Sequence, residues 1–183
     1  MRKRIVLMLL VLMSLLLLSS CDEIGDIVSG VGNGNGVGGI SVSEETRADA
    51  RIEEIISAIK DKDVDALKSL FSEKALNETD DFNDEADHLF DFIQGDIVSW
   101  ERDGWASSES IEYGKKSLMI RFGFKLVTDV DEYDLFIIDY NKDTINPDNQ
   151  GVYMIQLRKS SYEGSWGGSW QERMRAGIFI QEK

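Results

Sequence analysis

His88 is the one histidine of the chain and stands three residues before Asp91 in a segment of helical period, so the two could meet across one turn. A metal centre needs more ligands than this pair offers, and a general base needs a pocket, so His88 reads as a structural residue, exposed or half-buried. The stretch "DYNKDTINPDNQ", 139 to 150, places the side-chain oxygens of Asp139, Asn141 and Asp143 two residues apart, the spacing that opens a calcium loop. The rest of that loop is missing: Thr144 stands where glycine is needed and Gln150 where glutamate is. A polar hairpin turn around Asn146-Pro147-Asp148 accounts for the same residues, and no metal or other cofactor is expected. Cys21 is the only cysteine, so it can neither bridge within its own chain nor share a metal with a second thiol.

What precedes Cys21 gives it a role. A basic head of Arg2, Lys3 and Arg4, an apolar run from Ile5 to Leu18 and the small residues Ser19 and Ser20 follow in the order of an export signal. The apolar run is shorter than the roughly 20 residues of a spanning helix. Leu18-Ser19-Ser20-Cys21 resembles the lipobox of bacterial lipoproteins. That resemblance implies removal of residues 1–20 as a signal peptide and attachment of acyl chains, palmitate among them, at Cys21, which becomes the membrane anchor on the extracytoplasmic face. Two or more chains hold a protein on a bilayer, where one binds only marginally. In bacteria with two membranes Asp22 would further resemble the signal for retention on the inner one; with a single membrane it carries no such meaning.

Charge narrows the partners. The 20 Lys and Arg against 34 Asp and Glu leave the chain at −14, and loss of Arg2, Lys3 and Arg4 with the signal takes it to −17. A body this acidic does not wrap nucleic acid. It is also repelled by anionic lipid headgroups, which leaves the lipid on Cys21 as the membrane contact. Solubility outside the cell accounts for the acidity.

Residues 21–43 form a tether: seven glycines fall between Gly25 and Gly39 with no helical or strand period. As a glycine-rich coil it has a mean reach of about 25 Å. Its "GNGNGVGG" run has no strand before it and no lysine placed to hold a phosphate. Residues 44–183 are one domain, long enough to bury a proper core. Ile52, Ile55, Ile56 and Ile59 mark an amphipathic first helix. Asp63 caps a second over "VDALKSLFS". A third begins near Asp81, with Phe82, Ala86, Leu89, Phe90 and Ile93 in register, and Gly95 is placed to end it. Past Gly95 the period becomes two. Leu118, Ile120, Phe122, Phe124 and Leu126 describe a long strand with one buried face, and further strands are expected at 97–106, 132–140, 151–159 and 176–181. Consecutive strands joined by turn-rich stretches should pair antiparallel, so the expected class is α+β: three N-terminal helices packed on a curved antiparallel sheet.

That order, with the opening "RIEEIISAIKDKDVDALKSLFS", resembles the nuclear transport factor 2-like fold, a cone of helices and bent sheet. The stretches "RADARIEEIISAIKDKDVDALKSLFSEKAL", "LFDFIQGDIVSW", "SIEYGKK" and "FIIDYNKDTINPDNQGVY" are similar to a family of uncharacterised bacterial lipoproteins, the domain of unknown function 5104. The resemblance covers about Arg47 to Ile180; it implies the cone and no activity. Relatives of the cone fold use its open end differently: some are isomerases or cyclases with a carboxylate base and a tyrosine donor over an apolar cavity, others hold peptides or small ligands. Asp139 with Tyr140, or Asp134, could stand in for that carboxylate and tyrosine, but strand alternation sends Asp139 and Tyr140 to opposite faces, so no catalytic residue is assigned. Trp100, Trp105, Tyr113, Phe136, Tyr140, Trp166 and Trp170 supply aromatic walls. Of these, Trp100, Trp105, Tyr113, Tyr140, Trp166 and Trp170 are the candidate ligand-binding residues, with Trp166 and Trp170 flanking glycines in a "YEGSWGGSW" that would suit a lid. The expectation is a non-catalytic module for a small apolar or aromatic ligand or a partner, with an isomerase- or hydratase-like enzyme in the cone pocket as the alternative. A filled cone whose sheet pairs with a second copy as a homodimer is a third reading.

Overall fold

The computed structural model describes residues 43–164, 166 and 174–182. Cys21, the expected signal peptide and tether before Ser43, and Trp170 lie outside the described residues. Glu44–Lys183 is one compact unit.

Helix α1 spans Glu44–Asp61, with Glu44 and Glu45 in its first turn and Lys60 in its last, each facing the favourable end of the helix dipole. Its stripe of Ala48, Ile52, Ile55, Ile56 and Ile59 is buried as the periodicity requires. The chain reverses at Lys62, where φ is 49°, and the Asp63 carboxylate accepts from Ala66 N at 2.8 Å to start α2, Val64–Leu70. The expected second helix stops short of Ser72. Phe71 leaves it to form a parallel bridge with Val152, and Ser72 N donates to Val152 O at 2.9 Å. Ser72 then turns its buried hydroxyl to Ala75 N (3.1 Å) and caps a separate helix α3, Glu73–Glu78. A fourth, α4, runs Phe82–Phe92 from an Asp81 cap. The helices therefore number four where three were expected, because one hydrophobic run serves as both helix and sheet edge. Gly95 follows α4 in the left-handed region, φ 84°, against Asp129 and Val130, which leave no room for a Cβ. Among the described residues no helix is long and apolar enough to cross a membrane.

The five strands lie in sequence order: β1 Ile97–Glu112, β2 Lys115–Thr128, β3 Glu132–Asp143, β4 Gly151–Lys159 and β5 Gly177–Gln181. The first three junctions are antiparallel, but β5 runs parallel to β4, correcting the expectation of antiparallel pairing throughout. Side-chain alternation is the same in either direction, so the period does not distinguish them; in place, β5 is tied to α4 by Ile178 N, which donates to the Glu85 carboxylate at 2.8 Å. Strand β1 also continues past 106. Its polar second half is carried by pairing with β2 through the turn Tyr113-Gly114, φ 49° and 81°, the two left-handed residues of a type I′ hairpin. Register shifts between Ile97 and Ser99 and between Arg102 and Gly104 mark bulges in this edge strand.

The core lies between the helices and one face of the sheet. Leu118, Ile120, Phe122, Phe124 and Leu126 meet Ile52, Ile55, Leu67 and Leu89 there, each at most 4% exposed. Tyr133 is buried among them, its hydroxyl accepting from Gln94 N (2.8 Å) and donating to Phe92 O (3.2 Å).

Candidate binding groove

Directly opposed residues on neighbouring strands share a face, so the register reads out the side of the sheet turned away from the helices as a set of rows. One row is Glu101, Lys125, Asp134 and Arg158, alternating in sign across four strands. The next is Gly104, Gly123, Phe136 and Gln156. The third places Ala106 beside Arg121, then Ile138 and Met154. Between the charged row and Arg121 the two glycines leave a trough. A Cβ at Gly104 would meet nothing within 4 Å, and one at Gly123 would touch only Leu135 O at 3.5 Å and Asp103 Cβ at 4.0 Å, ordinary contacts. A glycine inside a strand marks a place where something can approach the backbone closely. The resulting groove has a volume of about 910 Å³ and is lined by residues 101–106 of β1, 121–125 of β2, 134–136 of β3, Arg158 and Trp166.

Its end wall is aromatic. The Phe136 and Trp166 rings lie 6.3 Å apart, inclined at 46°. The Arg158 guanidinium sits 4.2 Å from the centre of the Trp166 ring and 6.0 Å from that of Tyr162. It donates to Asp134 through Nε (3.3 Å) and Nη2 (3.2 Å) and to Gly164 O through Nη1 (2.6 Å). Ser160 donates to the other Asp134 oxygen at 2.7 Å. Lys125 pairs with Glu132 at 3.1 Å; that hydrogen bond and the Glu132 charge, with Asp134 and Asp103 behind, raise the lysine pKa.

The candidate aromatic residues separate. Trp166 forms the end wall, and Trp105 borders the groove at 42% exposed, its partner Phe122 placing the indole on the inner side of the sheet. Trp100 packs edge-on against Phe124 in the core. Tyr113 occupies the hairpin tip, fully exposed. Tyr140 meets Tyr153 edge-on at 6.1 Å, and burial, then Asp143, raises its pKa. Burial and the Tyr153 hydroxyl's bond to Glu78 push Tyr153 up to about 12.

Of the acid–base candidates, Asp134 belongs to the charged row of the groove and is held by Arg158 and Ser160; the others lie elsewhere. Asp139 is buried on the helix side, one oxygen 3.4 Å from Arg51 Nε and the other with no hydrogen-bond partner among the described residues. Burial raises its pKa against the opposing pull of Arg51. Among the described residues no tyrosine hydroxyl is hydrogen-bonded to it. Asn141 accepts from Arg47 (2.6 Å), while Asp143 accepts from Ile145 N, Asn146 N and Asn149 Nδ2, so the three spaced oxygens serve three separate purposes and tie the polar turn. Burial works to raise the Asp143 pKa, and these bonds outweigh it and lower it. His88 is exposed and meets Glu182 at 3.0 Å, whereas Asp91 faces Lys62 at 3.7 Å. Among the described residues no group of three or more His, Cys, Asp and Glu is placed to hold a metal.

Sequence singled out neither the glycine floor nor the charged row as a set; of the row it named only Asp134, as a stand-in carboxylate. Gly123 inside the otherwise bulky "RFGFK" was the available signal. The alternating row was not readable, since its members come from four strands whose register had to be known first.

Residues 54–161 match the family described as Domain of unknown function (DUF5104), a span from within α1 to just past β4. No curated protein matches the chain.

Proposed function

The chain belongs to the DUF5104 family, and from that premise we propose that it is a lipid-anchored, extracytoplasmic, non-catalytic binding module that holds a small ligand in the groove on the outer face of its sheet. The observation that carries this reading is the trough over Gly104 and Gly123, walled at its end by Phe136 and Trp166. Its volume is within the range of about 300–1,000 Å³ common for small-molecule sites. The signal-like residues before Cys21 support the anchor. Helices that precede a sheet and cover one of its faces support a nuclear transport factor 2-like cone. In this reading the interior of the cone is filled by Phe122, Phe124, Tyr133 and their neighbours, and binding moves to the opposite face.

The full chain, purified in detergent, should bind simple aromatic probes such as indole and nicotinamide in ligand-observed NMR, and Gly123→Val should remove that binding. Absence of binding at millimolar probe, or binding that survives Gly123→Val, would refute the groove. Metabolic labelling with a palmitate analogue tests the anchor: label should appear on the wild type and vanish in Cys21→Ser. A homodimer through the outer sheet face would cover the same groove, so sedimentation should find a monomer in detergent at low micromolar concentration.

Asp139 is the one observation favouring an isomerase- or hydratase-like alternative, as a buried carboxylate of raised pKa on the inner side of the sheet. That reading requires a substrate whose turnover disappears in Asp139→Asn while the fold persists.

A further inference from the structure

We propose that the ligand of the outer-face groove is a neutral saccharide, a short oligosaccharide whose ring face lies on Phe136 and Trp166 while its hydroxyls enter the charged row. The inference rests on the groove reading above and goes further in naming the chemistry.

Its basis is charge balance. The chain carries −14, yet the groove is close to neutral. Of its lining residues Glu101, Asp103 and Asp134 are acidic and Arg121, Lys125 and Arg158 are basic, while Arg102 turns away to Glu45 and Asp49 on α1. An anionic ligand laid over Gly123 meets the three carboxylates, and a cationic one meets the three cations. Two of the cations are moreover already paired, Arg158 with Asp134 of the lining and Lys125 with Glu132 just outside it. Groups already paired gain little from a further ion.

A hydroxyl group is both donor and acceptor, so it can insert between Lys125 and Asp134, which face each other across β2 and β3, without disturbing either charge. A pyranose presents many such groups around its edge and carbon-bound hydrogens on its face. The edge suits the alternating row and the face suits an aromatic ring. The glycine floor supplies the third requirement, since a saccharide ring is thick and needs the depth that a Cβ at 104 or 123 would remove. A purely apolar ligand would leave the charged row desolvated beside it without compensation.

Isothermal titration of the full chain in detergent with maltohexaose, cellohexaose, chitohexaose, xylohexaose and mannohexaose tests the proposal, with a heparin hexasaccharide as the anionic comparison. At least one neutral hexasaccharide should bind, more tightly than the heparin probe. Phe136→Ala should weaken it at least tenfold. Gly123→Val should abolish it while leaving the melting temperature the same or higher, because a β-branched residue suits the strand; this variant keeps the test valid should Phe136→Ala fail to fold. Binding of heparin alone, or neutral binding indifferent to both variants, overturns the proposal. If no hexasaccharide binds while indole still does, the saccharide is wrong and the groove stands; if neither binds, both readings fall.

Discussion

Arg158 lies over Trp166 with its guanidinium carbon 4.2 Å from the ring centre, and the same group forks onto Asp134. A guanidinium can cover the ring with its flat face while two of its donors fork onto one carboxylate, and a lysine ammonium cannot do both at once. Arg158→Lys should destabilise the domain by about 1–2 kcal/mol, combining a cation–π contact with a half-buried ion pair. Urea unfolding monitored by tryptophan fluorescence measures it. A change within a few tenths would mean that the stack contributes nothing in solution.

Tyr113 holds φ at 49° with its ring in solvent. A bulky residue is unsuited to this position, and Asn-Gly is the preferred pair for the turn. Tyr113→Asn should therefore stabilise by about 0.5–1 kcal/mol, read as a higher melting temperature, with binding in the groove unchanged. A lower melting temperature would show that the ring makes a contact worth more than the strain.

Burial raises the Asp139 pKa above its ordinary 3.8, so the folded state prefers the protonated carboxyl. Its contribution to stability is full below about pH 4 and is lost as pH rises through the raised value. Asparagine does not titrate. The melting temperature of Asp139→Asn relative to wild type should therefore climb from pH 4 to pH 7. A flat or falling difference would place the Asp139 pKa at or below its ordinary value, with Arg51 outweighing burial.

The Tyr133 hydroxyl satisfies both Gln94 N and Phe92 O where α4 gives way to the loop before β1. Tyr133→Phe keeps the ring and leaves both backbone groups without that partner, at a cost of about 1–3 kcal/mol. Hydrogen exchange at Gln94 N should accelerate more than exchange in β2. Equal acceleration at the two places would point to general loosening rather than loss of this link.

The helices and the long strand β2 were legible because each buries one face, and burial imposes a period on the sequence. Ile52 to Ile59 and Leu118 to Leu126 show it plainly. The break at Phe71 was hidden, since an apolar residue after Leu70 suits a helix as well as a bridge to Val152. The direction of β5 was hidden for a similar reason: Gly177–Gln181 alternates identically either way, and the bond from Ile178 N to Glu85 joins residues 93 apart. The aromatic supply was visible as a set, but its partition was not. Trp100 and Trp105 both turn to the inner side of one strand, yet the first packs on the core against Phe124 and the second is left 42% exposed. Whether an aromatic side chain meets core or solvent depends on what stands over the sheet at that point, which no local pattern records.

The parallel pairing of β5 has a consequence for timing. Until residues 177–181 are in place, the edge of β4 from Met154 to Arg158 is open and Glu85 has no Ile178 N–H to accept. A chain emerging in order thus has its helices and first four strands available before the element that closes the sheet. On the export reading proposed above, the segment that seals the sheet would cross the membrane behind the strands it closes, so the finished fold would be deferred until the polypeptide is on the far side.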